Sequence, residues 1–282
     1  MFKRLLVPLD GSENAERALP WVREYARDRK ATVVLVRVVT PEEGATGEAV
    51  REARHYLEQV GLDLAAAGIV AKPVVRAGKA APVLAETARV EKCDLVIMPT
   101  RGGSKVLRWL VGGVTEQVMR LVSIPVLVLR SQVPLARQGK IGRILVPLDG
   151  SRAAEGLLAW SEHLARFHRA PIVMLHTLPE ETNRGEEDAF DSLRERATFY
   201  SDRMKKRGLR AAFKVRTGDA AEQILRAARP TDLIAMTTHG RGGFKRWVFG
   251  SVAEKVIHEA RVPVLIFKGH APARVLLPVA NG

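Results

Sequence analysis

Short apolar runs alternate along this chain with longer stretches in which apolar residues recur at the three- and four-residue spacing of a helix. Residues 5–9 form the first run, and residues 12–30 form the first periodic stretch. The next run, residues 31–39, is rich in β-branched residues, which favour strands. The pattern therefore predicts that strands and helices alternate along the chain.

The same pattern predicts a strand–helix succession in each half of the chain. In the first half, the predicted strands are residues 5–9, 31–39, 70–77, 94–99 and 125–130, and the predicted helices are residues 12–30, 48–67, 81–90 and 114–121. In the second half, the strands are residues 143–148, 172–178, 211–216, 232–237 and 262–268, and the helices are residues 151–169, 187–208, 220–228 and 252–259. Pro20 should bend the first helix, because proline removes a backbone donor. Several strands are apolar without a break, which is typical of a parallel sheet covered by helices on both faces.

The second half repeats the first. The segment FKRLLVPLDGS returns as IGRILVPLDGS, and Ser12 and Ser151 are 151 − 12 = 139 residues apart. Gly112 and Gly250 are 250 − 112 = 138 residues apart, so the nearly constant offset indicates a duplication. We therefore expect a domain at residues 1–130, a linker at 131–142, a second domain at 143–268 and a tail at 269–282. Within the tail, residues 274–282 resemble a third start of the repeat, as an added edge strand or a remnant.

Composition narrows the class of protein. With 46% hydrophobic and 27% charged residues, the chain has the balance of a soluble globular protein. Cys93 is the only cysteine, which excludes an intramolecular disulfide and fits a reducing compartment. The chain start lacks a signal-peptide pattern, and no apolar run reaches membrane-spanning length, so we expect a cytoplasmic protein with no membrane partner. The net charge of +14 would suit nucleic acid, but the basic residues are mixed with acidic ones along helices, which favours a solvated surface.

Two loops carry candidate chemistry. One is the Pro-Leu-Asp-Gly-Ser turn after the first strand of each half, and the other is a glycine-rich loop after the fourth strand. Both should lie at the carboxyl ends of the strands, where open parallel sheets bind ligands. There, Asp10 or Asp149 can accept ribose hydroxyl protons or hold a hydrated Mg²⁺, and free backbone N–H groups can bind phosphate. The residues alone leave alternatives open: the aspartates and Ser251 can cap helices, and the glycines can serve only a tight loop.

Both halves resemble the universal stress protein domain. The resemblance rests on the V-P-L-D-G-S turn and on a G-x2-G-x9-G-[S/T] loop after the fourth strand, and it covers residues 2–130 and 143–268. It implies two tandem Rossmann-like (adenine nucleotide alpha hydrolase-like) α/β domains, each with helices on both faces of a five-stranded parallel sheet of order 3-2-1-4-5. It also implies that the halves pair as an intramolecular pseudo-dimer through residues 126–129 and 264–267, and that two chains can associate as a homodimer.

In the second half, the family motif implies an adenine-nucleotide site. Asp149 stands where the family's aspartate contacts ribose and metal, Thr177 where a backbone reads the adenine edge, and Ser251 where a hydroxyl binds phosphate. Thr237 replaces the first glycine of the loop. The full set of expected binding residues is Pro147, Leu148, Asp149, Thr177, Met236, Thr237, Gly240, Gly243, Gly250, Ser251, Val252 and Ala253.

In the first half, the motif is less complete. Pro99 replaces the first glycine, Gly113 replaces the hydroxyl residue, and Thr115 is expected to supply a hydroxyl two residues later. The expected binding residues are Asp10, Val38, Met98, Gly102, Gly112, Gly113, Val114 and Thr115. Because a hydrogen bond to a charged group is worth roughly 1.5–3 kcal/mol, the second half should bind ATP about ten- to a hundredfold more tightly.

The resemblance therefore predicts a stress-response regulatory protein. It should bind ATP, or ADP or AMP, with Mg²⁺ at Asp149 or Asp10, and should act through conformation or association. The alternative is a slow ATP hydrolase or adenylate-handling enzyme on the same scaffold. No catalytic residue is assigned, because the sequence contains neither a Walker lysine nor an S-G-G-x-D-S loop.

Overall fold

A computed structural model describes residues 2–26, 31–44, 46–100, 113–130, 141–180, 184–238 and 249–268. The chain divides into two compact units, Met1–Lys140 and Ile141–Gly282. Most of the predicted linker and the whole predicted tail lie outside the described residues. Within the described ranges, every helix is too short or too polar to cross a bilayer.

The first unit alternates strands and helices. Its strands are β1 (Arg4–Pro8), β2 (Thr32–Val39), β3 (Val70–Ala77), β4 (Leu95–Thr100) and β5 (Val126–Arg130). Its helices are α1 (Glu13–Glu16), α2 (Leu19–Ala26), α3 (Gly47–Ala66), α4 (Ala80–Val90) and α5 (Val114–Leu121), with a short 3-10 helix at Pro41–Glu43.

The second unit repeats this succession. Its strands are β6 (Arg143–Pro147), β7 (Ile172–Leu178), β8 (Ala211–Thr217), β9 (Asp232–Thr237) and β10 (Val264–Phe267). Its helices are α6 (Arg152–His168), α7 (Arg184–Lys206), α8 (Ala220–Ala227) and α9 (Ser251–Glu259).

Each unit contains a parallel sheet. In the first unit, β1 pairs with both β2 and β4, β2 also pairs with β3, and β4 also pairs with β5, which gives the order β3-β2-β1-β4-β5. In the second unit, the corresponding pairs give β8-β7-β6-β9-β10. The predicted α/β class with parallel sheets is confirmed. The chain crosses from one side of the central strand to the other, so a gap opens above the carboxyl end of β1 and of β6.

The central strands form the core of each sheet. Leu5, Leu6 and Val7 of β1 are completely buried, as are Leu95 and the next two residues of β4. The outer strands β3 and β8 consist mostly of exposed and half-buried residues instead. Helices on both faces account for the unbroken apolar runs of the central strands, since neither face of these strands meets water.

The helix after β1 differs from the predicted one. A bend at Pro20 was expected within one helix, but α1 ends at Glu16 and α2 begins at Leu19. Pro20 is therefore the second residue of a new helix, where a backbone N–H has no partner within the helix and its loss costs little. In the second unit, Ala159 takes this position and α6 continues without a break.

Candidate functional site

A cavity of about 390 Å³ lies above the carboxyl ends of β6, β7 and β9 in the second unit. The amino-terminal end of α9 forms another part of its wall. This is the gap where the strand order reverses, and open parallel sheets bind their ligands there. The volume falls within the range of small-molecule sites.

The cavity brings together the described members of the set predicted for the second half. These residues are Pro147, Leu148, Asp149, Thr177, Met236, Thr237, Gly250, Ser251, Val252 and Ala253. Gly240 and Gly243 lie outside the described residues. Four separate segments of the chain thus meet at one cavity, as a shared ligand would require.

The turn after β6 holds the carboxylate of Asp149 at the cavity. Gly150 has a φ of +80°, a conformation that glycine adopts without the steric cost of a Cβ. The Asp149 Oδ1 atom accepts the N–H of Ser151 at 3.0 Å. The Ser151 Oγ atom accepts the N–H of Ala154 at 3.2 Å and caps α6. The alternative that the aspartate itself caps the helix is therefore wrong, because the serine does so.

Thr177 presents its backbone to the same cavity. Backbone groups of successive residues in a strand point alternately to the two neighbouring strands. The carbonyl of Leu175 accepts the N–H of Leu148, at 2.8 Å, and the carbonyl of Leu178 accepts the N–H of Gly218, at 2.9 Å. The N–H and C=O of Thr177 therefore face the side of β6, above the end of that strand. These groups can bind a planar ligand that carries a donor and an acceptor on one edge.

The amino-terminal end of α9 supplies backbone donors. Gly250 caps the helix with an ordinary φ of −63°, and Ser251 is its first helical residue. The Ser251 side chain is exposed. The alternative that Ser251 is the helix cap is wrong, because Gly250 occupies that position.

One expected donor in this region has another partner. The N–H of Gly250 donates to the carbonyl of Thr238 at 2.9 Å. The first-turn N–H groups of Ser251, Val252 and Ala253 follow it at the start of the helix. An anion beside α9 would therefore meet the N–H groups that begin at Ser251, together with the serine hydroxyl.

Sequence reasoning missed two aromatic residues of the cavity, His176 and Phe190. Their rings are stacked, with centroids 5.8 Å apart and planes 16° apart. His176 is 8% exposed, and its Nδ1 atom lies 2.6 Å from the carbonyl oxygen of Leu148. His176 could have been found, because it directly precedes Thr177 at the end of β7. Phe190 belongs to α7, and its sequence position gives no sign of which strand end the helix covers.

The first unit repeats the turn after β1. The Asp10 Oδ1 atom accepts the N–H of Ser12 at 3.0 Å and the hydroxyl of Ser12 at 2.5 Å. The Ser12 Oγ atom in turn accepts the N–H of Ala15 and caps α1. Asp10 therefore occupies the same kind of turn as Asp149, and it does not cap the helix either.

The amino-terminal end of α5 in the first unit differs from the prediction. The hydroxyl of Thr115 donates to the carbonyl of Pro99 at 2.9 Å, and the residue is 8% exposed. The expectation that this hydroxyl serves a phosphate is therefore wrong, because its one proton is already donated within the protein. Gly113 caps α5, and a Cβ added there would meet nothing within 4 Å.

The remaining positions predicted for the first unit are only partly described. Met98 is buried near the end of β4, and Val114 is 43% exposed at the start of α5. Val38 lies on β2 and is 6% exposed. Gly102 and Gly112 lie outside the described residues.

A metal ion at the cavity would need ligands in addition to the described residues. Among the described residues, no group of three or more His, Cys, Asp or Glu side chains is placed to hold one. Asp149 is the carboxylate in the described wall of the cavity. Mg²⁺ is commonly held by one or two carboxylates together with substrate phosphates and water. The described residues therefore fit Mg²⁺ as a companion of a bound phosphate.

Comparisons with known proteins agree with this architecture. The model of the universal stress protein family matches residues 1–130 and 140–268. A universal stress protein of Mycolicibacterium smegmatis is 24% identical, over 94% of this chain and 96% of its own length. One of Mycobacterium tuberculosis is 23% identical, over 93% of this chain and 95% of its own length. The crystal structure of a universal stress protein from Archaeoglobus fulgidus superimposes with a TM-score of 0.75 at 22% identity, covering 95% of this chain and 96% of that one, and it shows the same fold.

Proposed function

The chain belongs to the universal stress protein family in both of its units, and from that premise we propose that its second unit binds an adenine nucleotide in the cavity above β6. The proposed ligand is ATP, with ADP and AMP as the other members of the same class. The observation that carries the proposal is that a carboxylate, an exposed strand backbone and a helix amino-terminus converge on one cavity.

Each part of a nucleotide has a matching group in the wall. The backbone of Thr177 offers a donor and an acceptor to the edge of the adenine ring. Apolar atoms of Ile224 and Met236 line the same cavity and suit the faces of the ring. Asp149 can accept hydrogen bonds from both ribose hydroxyls. The first N–H groups of α9 and the hydroxyl of Ser251 suit the phosphates, because the amino-terminal end of a helix carries partial positive charge.

The proposed cellular role is regulation of a stress response through conformation or association. Nucleotide bound between the β6 turn and α9 would hold these two elements together, and its release would free them from each other. The cytoplasm as the location, the pairing of the two halves and a homodimer of two chains stay predictions.

Ligand identity can be tested on the purified protein. Mass spectrometry of the small molecules released on denaturation should find an adenine nucleotide at a substantial fraction of the protein concentration. Isothermal titration calorimetry with ATP, ADP and AMP would then rank the three. Absence of any nucleotide, together with no ATP binding at millimolar concentration, would refute the proposal.

A matched pair of variants tests the location. Asp149→Asn keeps an oxygen for the Ser151 N–H but loses the charge and one acceptor for ribose, so ATP affinity should fall about ten- to a hundredfold. Asp202→Asn is the control, because that carboxylate is 57% exposed on α7 in the same unit. Equal affinities of the two variants would place the nucleotide elsewhere. Steady-state phosphate release at ordinary enzymatic rates that Asp149→Asn abolishes would instead favour the ATP hydrolase.

A further inference from the structure

The backbone of Thr177 is proposed to bind the edge of adenine, and Val38 is the equivalent residue of the first unit. The residue that precedes this position differs between the two units. It is Arg37 on β2 and His176 on β7, which are equivalent in the repeat because 176 − 37 = 139. Both side chains carry hydrogen-bond donors, and both bind a backbone carbonyl beside the gap above the central strand. They do not bind the same carbonyl.

In the second unit, His176 reaches across to the neighbouring turn. Its Nδ1 atom lies 2.6 Å from the carbonyl oxygen of Leu148, a distance that requires the ring to donate a proton from Nδ1. Leu148 also donates its N–H to the carbonyl of Leu175 at 2.8 Å. The residue before Asp149 is thus held at both of its backbone groups. Among the described residues, no side chain donates to the carbonyl of Thr177.

In the first unit, the Arg37 side chain binds the backbone of Val38, the residue equivalent to Thr177. Its Nη1 atom donates to the carbonyl of Val38 at 3.0 Å. By the alternation of β2, this carbonyl faces the gap above β1, since Val36 binds Leu9 and Val39 binds Gly78 on the opposite side. The Val38 carbonyl, to which an adenine amino group would donate, already accepts a hydrogen bond from the charged guanidinium of Arg37.

A second contact holds the guanidinium in place. Its Nη2 atom donates to Glu43 Oε1 at 2.5 Å, while Oε2 of the same carboxylate accepts the N–H of Thr40 at 2.8 Å. The Thr40 N–H and then the Arg37 side chain hold the pKa of Glu43 below its usual range, so the carboxylate is charged at neutral pH. The Arg37 side chain is only 18% exposed. An adenine amino group would have to displace this anchored guanidinium or bring a second donor against it.

We propose that the residue at this position determines which unit binds the nucleotide more tightly: Arg37 competes with adenine for the Val38 carbonyl of the first unit, whereas His176 leaves the Thr177 carbonyl of the second unit open while it positions the Asp149 turn. The proposal rests on the adenine-nucleotide function proposed above. In the first unit, two features would then weaken nucleotide binding. Arg37 occupies the Val38 carbonyl, and the start of α5 lacks a free hydroxyl for phosphate.

Exchange of the two residues tests the proposal. Arg37→His should raise the affinity of the first unit for ATP about ten- to a hundredfold, because one charged donor no longer competes for the Val38 carbonyl. ATP bound per chain is measured by equilibrium dialysis in an Asp149→Asn background, so that the second unit contributes little.

Glu43→Gln, which weakens the contact that holds the guanidinium but keeps Arg37, should give a smaller increase in affinity. Arg76→Ala is the matched control, because Arg76 also donates to a neighbouring carbonyl, that of Val75 at 3.2 Å, but lies on β3.

The reciprocal variant gives the second arm. His176→Arg should lower the affinity of the second unit, whereas His176→Asn, which can still donate to the Leu148 carbonyl, should retain most of it. If the arginine variant unfolds the second unit, the Arg37→His result decides alone. Binding of ATP by the wild type with no change in Arg37→His relative to Arg76→Ala would overturn this proposal and leave the proposed function standing. No binding of ATP by the wild type would refute both.

Discussion

The two units build the same turn after their first strand but surround it with different side chains. Asp10 and Asp149 each accept a serine N–H at 3.0 Å, and the serine that follows each of them caps the next helix. Beside this turn, Arg37 binds the Val38 carbonyl, whereas His176 binds the turn itself. The two units thus share the hydrogen bonds that fix the backbone of this turn. They differ in the side chains that contact the gap above the central strand. The asymmetry between the proposed sites is therefore local.

The opposite ends of the central strands differ as well. In the second unit, Arg143 binds Asp232 with two guanidinium nitrogens, and the Asp232 side chain is completely buried. In the first unit, the equivalent Asp94 accepts backbone N–H groups of Lys3 and Arg4, at 2.7 and 2.9 Å. The Arg4 guanidinium donates instead to the carbonyl of Glu91. The second unit therefore has a buried ion pair at a position where the first unit uses main-chain donors.

The largest expected effect is on stability. Arg143→Ala should lower the free energy of unfolding of the second unit by about 3–5 kcal/mol, because the buried charge of Asp232 loses its guanidinium partner and keeps only the N–H of Arg229. Arg4→Ala should cost only about 1 kcal/mol, since this side chain is 37% exposed and Asp94 keeps its backbone donors. Urea unfolding followed by hydrogen exchange would report each unit separately. Equal losses in the two variants would show that the comparison at this end is wrong.

The next effect concerns the amino-terminal ends of α9 and α5, where the phosphates are proposed to bind. Ser251→Ala should weaken ATP binding to the second unit about tenfold, because the hydroxyl no longer donates to a charged oxygen. Gly113→Ser should strengthen binding to the first unit, since a Cβ there meets nothing within 4 Å. Calorimetric titration of both variants against the wild type measures these changes. A Ser251→Ala protein with unchanged affinity would contradict the phosphate role of α9.

The smallest effect concerns the start of the helix after the third strand. Asp219 caps α8 by accepting the N–H of Glu222 at 2.9 Å, whereas Lys79 precedes α4 without a side-chain cap. Asp219→Ala should therefore destabilise the second unit by about 0.5–2 kcal/mol, and Lys79→Asp should stabilise the first. Thermal unfolding of the two variants checks both signs. A loss of stability in Lys79→Asp would contradict the interpretation of the cap.

The same cap has a defined pH dependence. The N–H of Glu222, and then the ammonium group of Lys255, hold the pKa of Asp219 below its usual value. A carboxylate whose pKa is lower in the folded state stabilises it fully above the unfolded pKa, which is ~3.9 for aspartate, and this contribution is lost as the pH falls through the folded pKa. The difference in stability between wild type and Asp219→Ala should therefore be constant near neutrality and shrink below about pH 4. A difference that grows in acid would contradict this assignment.

Much of the fold could be predicted from local pattern. The unbroken apolar runs of β1 and β4 indicated strands buried on both faces, and the repeat of the Pro-Leu-Asp-Gly-Ser turn indicated two units of the same build. The break before Pro20 was missed because the apolar residues on either side of it keep a helical spacing, and a proline in such a stretch can mark either a kink or the first turn of a new helix. Sequence alone does not choose between these two outcomes.

The candidate site was predictable where it depends on turns and strand ends. The positions of Asp149, Thr177 and Ser251 follow from short segments that fold locally. The contacts of Thr115 and Phe190 do not, because they depend on which carbonyl or ring tertiary packing brings near. The different partners of Arg37 and His176 could not be read from the sequence for the same reason, since both residues can donate to a carbonyl.

The most direct test of a stronger site in the second unit is the amount of ATP bound per chain in two matched variants. Equilibrium dialysis would compare Asp10→Asn with Asp149→Asn at an ATP concentration near the dissociation constant of the wild type. We expect Asp10→Asn to bind nearly as much ATP as the wild type and Asp149→Asn to lose most of it. Equal losses, or a larger loss in Asp10→Asn, would contradict this expectation.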